Sequence, residues 1–268
     1  MKSLYAVIRV PKSGSSSLKH VVREAYPDAG YYKLPHSDFG DWRVSLLDRV
    51  RFHRQQKRAL LANFRTFSLR RALQQIEEES NDGDVLEGGH FSLALARDLN
   101  AAIWTITLLR DPVNRLLSEY NYSRNQYRKR AAINRFDNAF SKKLADRYSL
   151  DAYVSIMLEH KAKVGNIACQ LLDIRSSEDI PRRLDGLFHF GVLEDMAGFV
   201  DGLAEKSGRK LTAVSTNVTP NPAARSIDKE TRRKIERLND LDVELYEQAR
   251  AACVSERSRP AGRAAAGD

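Results

Sequence analysis

Ile8-Arg9-Val10-Pro11-Lys12-Ser13-Gly14-Ser15-Ser16-Ser17-Leu18 is the stretch on which the fold turns. An apolar run, Leu4 to Val10, precedes it and reads as a buried strand. Leu18 to Ala25 follows and reads as a helix. A strand, a turn of small residues carrying a lysine and hydroxyls, and a helix start together make an anion cradle. Backbone N–H groups and the positive end of the helix dipole converge there on phosphate-like oxygens. The turn is not a Walker A loop, which needs Gly-Lys-Ser/Thr at the helix start after a glycine further upstream. Here Lys12 comes before Gly14, on the strand side. The geometry suits a nucleotide, while the usual ATP or GTP reading is weakened.

Outward from this loop, short β runs alternate with helical patterns. Tyr31–Leu34 reads as a second strand and Pro35–Gly40 as a loop. Val85–Leu86 opens a strand that stops at Gly88-Gly89. Ala101–Leu109 is a continuous apolar run suited to a central parallel strand, and Leu187–Val192 is another short strand. Helices are expected at Phe91–Leu99, from Asp111-Pro112 to about Arg130, at Leu150–Leu158, Ala168–Leu172 and Met196–Ala204, and as one amphipathic helix over Ile227–Ala252. Residues 43–79 read as one long helix or two, with a basic face running from Arg49 to Arg71. That face is either a solvated surface or a wall that attracts an acidic acceptor. Asn217–Ala224 is a loop. The pattern is that of an α/β protein with a P-loop-like central parallel sheet flanked by helices. It is read as a single domain over residues 1–253, with a basic helical insertion at about 41–80 and a disordered tail at 254–268.

Composition narrows the partners. The 268 residues carry a net charge of +9, which favours anions: nucleotides, nucleic acid, sulfated or carboxylated sugars, or an anionic membrane surface. No apolar run approaches the roughly 20 residues that cross a bilayer. The start of the chain lacks a secretory cleavage pattern. Cys169 and Cys253 are far apart, sit in apolar segments and read as small core residues. A reducing, cytoplasmic setting is expected. Nucleic acid is disfavoured, since no recognition motif occurs and few aromatics interleave the basic run.

Three segments fall at carboxyl ends of predicted strands, where open α/β sheets hold ligands. They are Lys12–Ser17, Glu87-Gly88-Gly89-His90-Phe91, and Arg110-Asp111-Pro112-Val113-Asn114-Arg115-Leu116-Leu117-Ser118. Each has a bland reading: a solvated turn lysine, a histidine bonded to a helix start, an arginine paired with a nearby carboxylate. Their order and joint presence carry the weight.

Together they resemble a known family. Ile8–Leu18 resembles the phosphosulfate-binding loop of the carbohydrate sulfotransferases, a proline and lysine followed by small hydroxyl residues around a glycine. Gly89-His90-Phe91-Ser92 resembles the histidine segment of the heparan sulfate 2-O-sulfotransferase type. Ile106–Tyr120 resembles that family's second nucleotide motif, Arg-Asp-Pro followed by Arg, Ser and Tyr at set spacings. The similarity extends to Phe190–Glu194 and to Asn239–Tyr246, so it spans most of the chain to about residue 250. Ser13 and Ser15 stand where the family often has threonine and a second glycine, and the aromatic pair that usually follows the histidine is missing.

The resemblance implies 3′-phosphoadenosine 5′-phosphosulfate (PAPS) as donor, 3′-phosphoadenosine 5′-phosphate (PAP) as product, and no metal. Lys12 and the N–H groups of Gly14–Ser17 would hold the 5′-phosphosulfate, with Ser13, Ser15, Ser16 and Ser17 adding hydroxyls. Arg110 and Ser118 would hold the 3′-phosphate. The acceptor is expected to be a hydroxyl of a carbohydrate or other molecule, acidic ones included, which attacks sulfur in line. His90 is the favoured base, as an imidazole with an ordinary pKa near ~6.5. Glu87 is the competing base, or else a partner of His90 or Lys12. His36 and His53 read as surface or acceptor-side residues, His20 and His189 as structural, and His160 as a surface helix residue. Arg124, Arg128, Lys129 and Arg130 either line the acceptor cleft or form a charged helix end. A P-loop kinase and a non-catalytic anion binder are the alternatives.

Overall fold

A computed structural model describes residues 1–34, 71–129, 140–212 and 227–257. The expected helices and basic face between 43 and 70, the 35–40 loop, His36, His53, Arg130, the 217–224 loop and the tail beyond 257 lie outside the described residues. Five strands form one parallel sheet: β1 (Ser3–Ile8), β2 (Tyr31–Leu34), β3 (Val85–Gly88), β4 (Ala102–Leu109) and β5 (His189–Val192). Their spatial order is β2-β3-β1-β4-β5. The chain leaves β1 toward β2 and β3, then crosses back over β1 to β4. The crevice at this reversal lies outside the carboxyl ends of the central strands.

The register follows from patterning. β1 runs beside β4 from the pair Ser3 and Ala102 to the pair Ile8 and Thr107. Leu4, Ala6 and Ile8 enter the core on one face of the sheet, Tyr5 and Val7 the core on the other. Thr107, fully buried on β4, satisfies its hydroxyl by donating to the Ile8 carbonyl at 2.9 Å. Gly88 needs to be glycine, because a Cβ there would lie 2.3 Å from the Leu34 carbonyl oxygen of the neighbouring strand.

Helices cover both faces. On one side α1 (Ser15–Ala25) and α10 (Met196–Ser207) pack with Val21, Val22, Phe199 and Leu203 on Tyr5, Val7 and Ile106. The other face takes α3 (Leu93–Arg97), α8 (Ile167–Leu171), α9 (Asp179–Asp185) and α12 (Asp240–Arg257); residues 71–79 form α2, whose Ile76 joins the same core. A third apolar cluster unites α4 (Pro112–Lys129), α5 (Phe140–Arg147), α6 (Leu150–Glu159), α7 (Lys161–Val164) and α11 (Lys229–Leu238) through Leu117, Tyr120, Tyr153, Val154, Ile235 and Leu238.

The long C-terminal helix expected over Ile227–Ala252 is two helices, α11 and α12, broken at Asn239. The cause is a buried polar exchange. Asn239 is fully buried, its Oδ1 accepts from Arg115 Nη2 at 2.8 Å, and its Nδ2 donates to the Ile235 carbonyl at 2.9 Å. Just beyond, two side chains cap each other's helices. Buried Asp242 accepts from the Ala168 and Cys169 N–H groups at 3.1 and 2.8 Å, while Asn166 Oδ1 accepts from the N–H groups of Leu241 and Asp242. Helix α9 went unforeseen because Pro181 sits in it; in the first turn the missing N–H costs nothing.

His189 is structural, as expected. It lies buried on β5 with Nε2 donating to the Phe199 carbonyl at 2.8 Å, and burial depresses its pKa to about 4. His20 is instead exposed on α1, because its position falls on the helix face opposite Val21 and Val22. His160 joins α6 to α7. Cys169 is a core residue, whereas Cys253 is only partly buried near the end of α12.

The unfolded chain binds the His189 proton more tightly than the folded one, so stability falls as pH drops below the ordinary 6.5 toward 4. Urea denaturation is expected to show about 2 kcal/mol less stability at pH 5 than at pH 7 from this group, and His189→Gln should flatten that slope. Asn239→Leu strands the buried Arg115 guanidinium and is expected to lower the unfolding free energy by about 2–4 kcal/mol; the Arg115→Leu/Asn239→Leu double variant should recover part of the loss.

Candidate active site

The loop after β1 is shaped by two left-handed residues. Lys12 has φ 63° and Gly14 φ 71°. A side chain on Gly14 would bring its Cβ to 2.7 Å from Leu193 Cδ1 and strain a left-handed backbone, so glycine is favoured here. Ser13 N–H donates to the Val10 carbonyl and Ser15 Oγ to the same oxygen at 2.9 Å, closing the turn. The first bond of α1 runs from Leu18 N–H to the Gly14 carbonyl, and no acidic residue occupies the first turn. The N–H groups ahead of Leu18 therefore present positive partial charge with no side-chain cap from Gly14. Ser13 Oγ is buried with no hydrogen-bond partner among the described residues, Ser17 is buried, and Ser16 is exposed.

Arg110 reaches this loop from the end of β4. Its Nη1 donates to the Lys12 carbonyl at 2.9 Å. Burial lowers the pKa of both cations; Glu119 opposes this at Lys12, and Glu194 and Asp111 oppose it at Arg110. Asp111 is the helix cap foreseen from sequence, with Oδ1 accepting from Asn114 N–H at 2.7 Å. Six residues beyond Pro112, Ser118 lies partly exposed on α4, on the helix face it shares with Glu119 and Tyr122. The Lys12 ammonium lies 3.8 Å from the centroid of the Tyr122 ring.

The β3 segment is placed beside the same loop. His90 Nδ1 bonds to the Arg9 carbonyl, one residue before Val10. A carbonyl only accepts, so Nδ1 carries the ring proton and Nε2 is the basic nitrogen of the neutral ring. Arg9 Nη1 donates to the Gly88 carbonyl at 2.7 Å. Buried Glu87 is bound by Arg23, whose Nη2 and Nε lie 2.7 and 3.3 Å from its two oxygens, and by Lys19 Nζ at 3.3 Å. Burial would raise the Glu87 pKa, but these two cations outweigh it and hold the carboxyl below its usual range.

Lys12, Arg110 and the Ser13–Ser17 loop are thus drawn together directly, and His90 reaches them through Arg9. Glu87 is committed to helix α1. Arg128, one of the cations considered for an acceptor cleft, is held by Asp146 at 2.7 Å. Sequence reasoning missed Arg9 and Tyr122. Tyr122 had a signal: it lies four residues beyond Ser118, so helical spacing puts both on one side.

Residues 4–248 match the sequence profile described as "Sulfotransferase family". No curated protein matches at a significant level. Among solved structures, the crystal structure of mouse sulfotransferase SULT7A1 complexed with PAP is 13% identical, covering 92% of this chain and 89% of that one, with a TM-score of 0.46. A likeness that slight carries nothing about chemistry. The profile match, by contrast, runs from β1 into α12 and takes in all three strand-end segments, and on it the chain belongs to the sulfotransferase family.

Proposed function

We propose that this sulfotransferase uses PAPS as its donor, that the acceptor is a hydroxyl on a carbohydrate, and that residues 1–253 form the catalytic unit. The observation that carries the reading is the bond from Arg110 to the Lys12 carbonyl, which links two cationic motifs on one uncapped helix start. Such a pair of half-buried cations favours a ligand with several negative charges. Lys12 and the N–H groups of Gly14–Ser17 hold the 5′-phosphosulfate, with the serine hydroxyls alongside. Arg110 and Ser118 hold the 3′-phosphate.

In the transfer, His90 Nε2 takes the proton of the acceptor hydroxyl as its oxygen bonds to sulfur. The bond from sulfur to the bridging oxygen breaks, and Lys12 stabilises the charge left on the 5′-phosphate. The Arg9 carbonyl keeps His90 in the tautomer this requires. Glu87 is the poorer base, because a carboxylate paired with Arg23 and Lys19 holds a proton weakly. Arg9, Lys19 and Arg23 outnumber that carboxylate, and the excess positive charge suits an acidic carbohydrate. Among the described residues no helix is long and apolar enough to cross a membrane. Neither Cys169 nor Cys253 is in a disulfide, which suits a cytoplasmic setting.

PAP is expected to raise the melting temperature of the protein. Incubation with ³⁵S-labelled PAPS and a panel of chemically desulfated glycosaminoglycans should label an acceptor. His90→Ala should lower kcat roughly 10²–10⁴-fold and Lys12→Ala roughly 10²–10³-fold, the former with little change in PAP affinity. Absence of both the thermal shift and the label transfer would overturn the assignment; a Glu87→Gln variant losing more activity than His90→Ala would reassign the base.

A further inference from the structure

Helix α4 carries two tyrosines two residues apart with different surroundings. Tyr120 is buried in the helical cluster, where its hydroxyl donates to the Tyr148 carbonyl at 2.8 Å and its ring meets Tyr153 edge-on. Tyr122 is 46% exposed and takes no part in any of the three apolar clusters. What its ring meets is the Lys12 ammonium, 3.8 Å from the centroid. An exposed aromatic ring on a helix adds little to a core, and among the described residues this contact is the one its ring makes with a charged group.

The lysine needs such a contact. Its backbone is fixed by a left-handed φ and by Arg110 on its carbonyl, but four rotatable bonds separate that fixed point from the nitrogen. The charged groups facing the ammonium are Glu119 from α4, which attracts it, and Arg110 from the end of β4, which repels it. A π face adds attraction for the cation without a competing negative charge, and it defines a direction as well as a distance. A carboxylate in the same place would hold the lysine more strongly but would also repel an anionic donor.

We propose that Tyr122 is a positioning residue for Lys12, its ring face holding the ammonium over the loop so that the charge stands ready for the oxygen that leaves sulfur. The role rests on the donor reading given above. The step it serves is unchanged: the acceptor oxygen bonds to sulfur, its proton passes to His90, and the bridging oxygen departs with the electron pair onto the 5′-phosphate beside Lys12.

The test compares wild type, Tyr122→Phe, which keeps the ring, and Tyr122→Leu, which keeps bulk without it. The first measurement is the rate at which succinimidyl acetate acetylates Lys12, followed by mass spectrometry against the other lysines. The second is PAP affinity by calorimetry. The third is slow turnover of PAPS to PAP with water as acceptor. Tyr122→Leu is expected to speed acetylation of Lys12 and to lower kcat, each roughly three- to tenfold, the size of one cation–π contact; PAP affinity and KM for PAPS, to which Lys12 also contributes, should change by no more than that factor. Tyr122→Phe should rescue both effects. Unchanged Lys12 labelling in Tyr122→Leu overturns the proposal, and so does an equal loss in Tyr122→Phe, which would credit the hydroxyl. A fall in PAP affinity larger than the change in Lys12 labelling would make Tyr122 a donor-binding residue in its own right and also overturn it. If labelling responds as expected but PAP fails to bind wild type, the donor reading falls, and with it the catalytic role, while the contact itself stands.

Discussion

The hydrogen bond from Arg110 to the Lys12 carbonyl depends on the pairing of β1 with β4, and much else depends on it. Six consecutive residue pairs bring Ile8 level with Thr107, so the two strands end side by side. The threonine hydroxyl on the Ile8 carbonyl fixes that end of the ladder. From there Val10 to Gly14 double back to start α1, with left-handed backbone at Lys12 and Gly14 making the turn. Its carbonyl thus faces Arg110. A slip of one residue between β1 and β4 would exchange the two core faces of β1 and also part the loop from its guanidinium.

That arrangement places like charges close together at partial burial. Desolvation lowers the pKa of both Lys12 and Arg110, and Glu119 and Glu194 on neighbouring elements oppose the shift. Glu87 shows the opposite balance one strand away. It is a buried carboxylate neutralised by Arg23 and Lys19, and it knits β3 to α1. Two clusters at the same sheet edge therefore differ in kind. One is built around a buried carboxylate and supports the fold, while the other is built around two half-buried cations.

Much of this was legible in the residues. Three of the five strands follow from apolar runs closed by the serine loop, Gly-Gly or Arg-Asp-Pro, and all five occur close to where the residue pattern puts them. The nearness of Lys12 to Arg110 was implied by their places at strand ends. Other features were hidden because they depend on contacts between distant residues. Nothing local in Arg237-Leu238-Asn239-Asp240 breaks a helix; the break needs Arg115, 124 positions away in sequence, to claim the asparagine oxygen. Glu87 looked available because the cations that claim it, Lys19 and Arg23, lie more than sixty residues away in sequence.

The interruption at Asn239 also has a bearing on how the molecule comes apart. Ile235 and Leu238 lie in the all-helical cluster, whereas Leu245, Tyr246 and Ala249, a few residues later, lie against the sheet. One continuous segment is thus embedded in two separate apolar interiors, with a fully buried amide at the crossing. Neither interior can open while its half of the segment stays rooted in the other, which makes the two a single cooperative unit in unfolding rather than independent foldons.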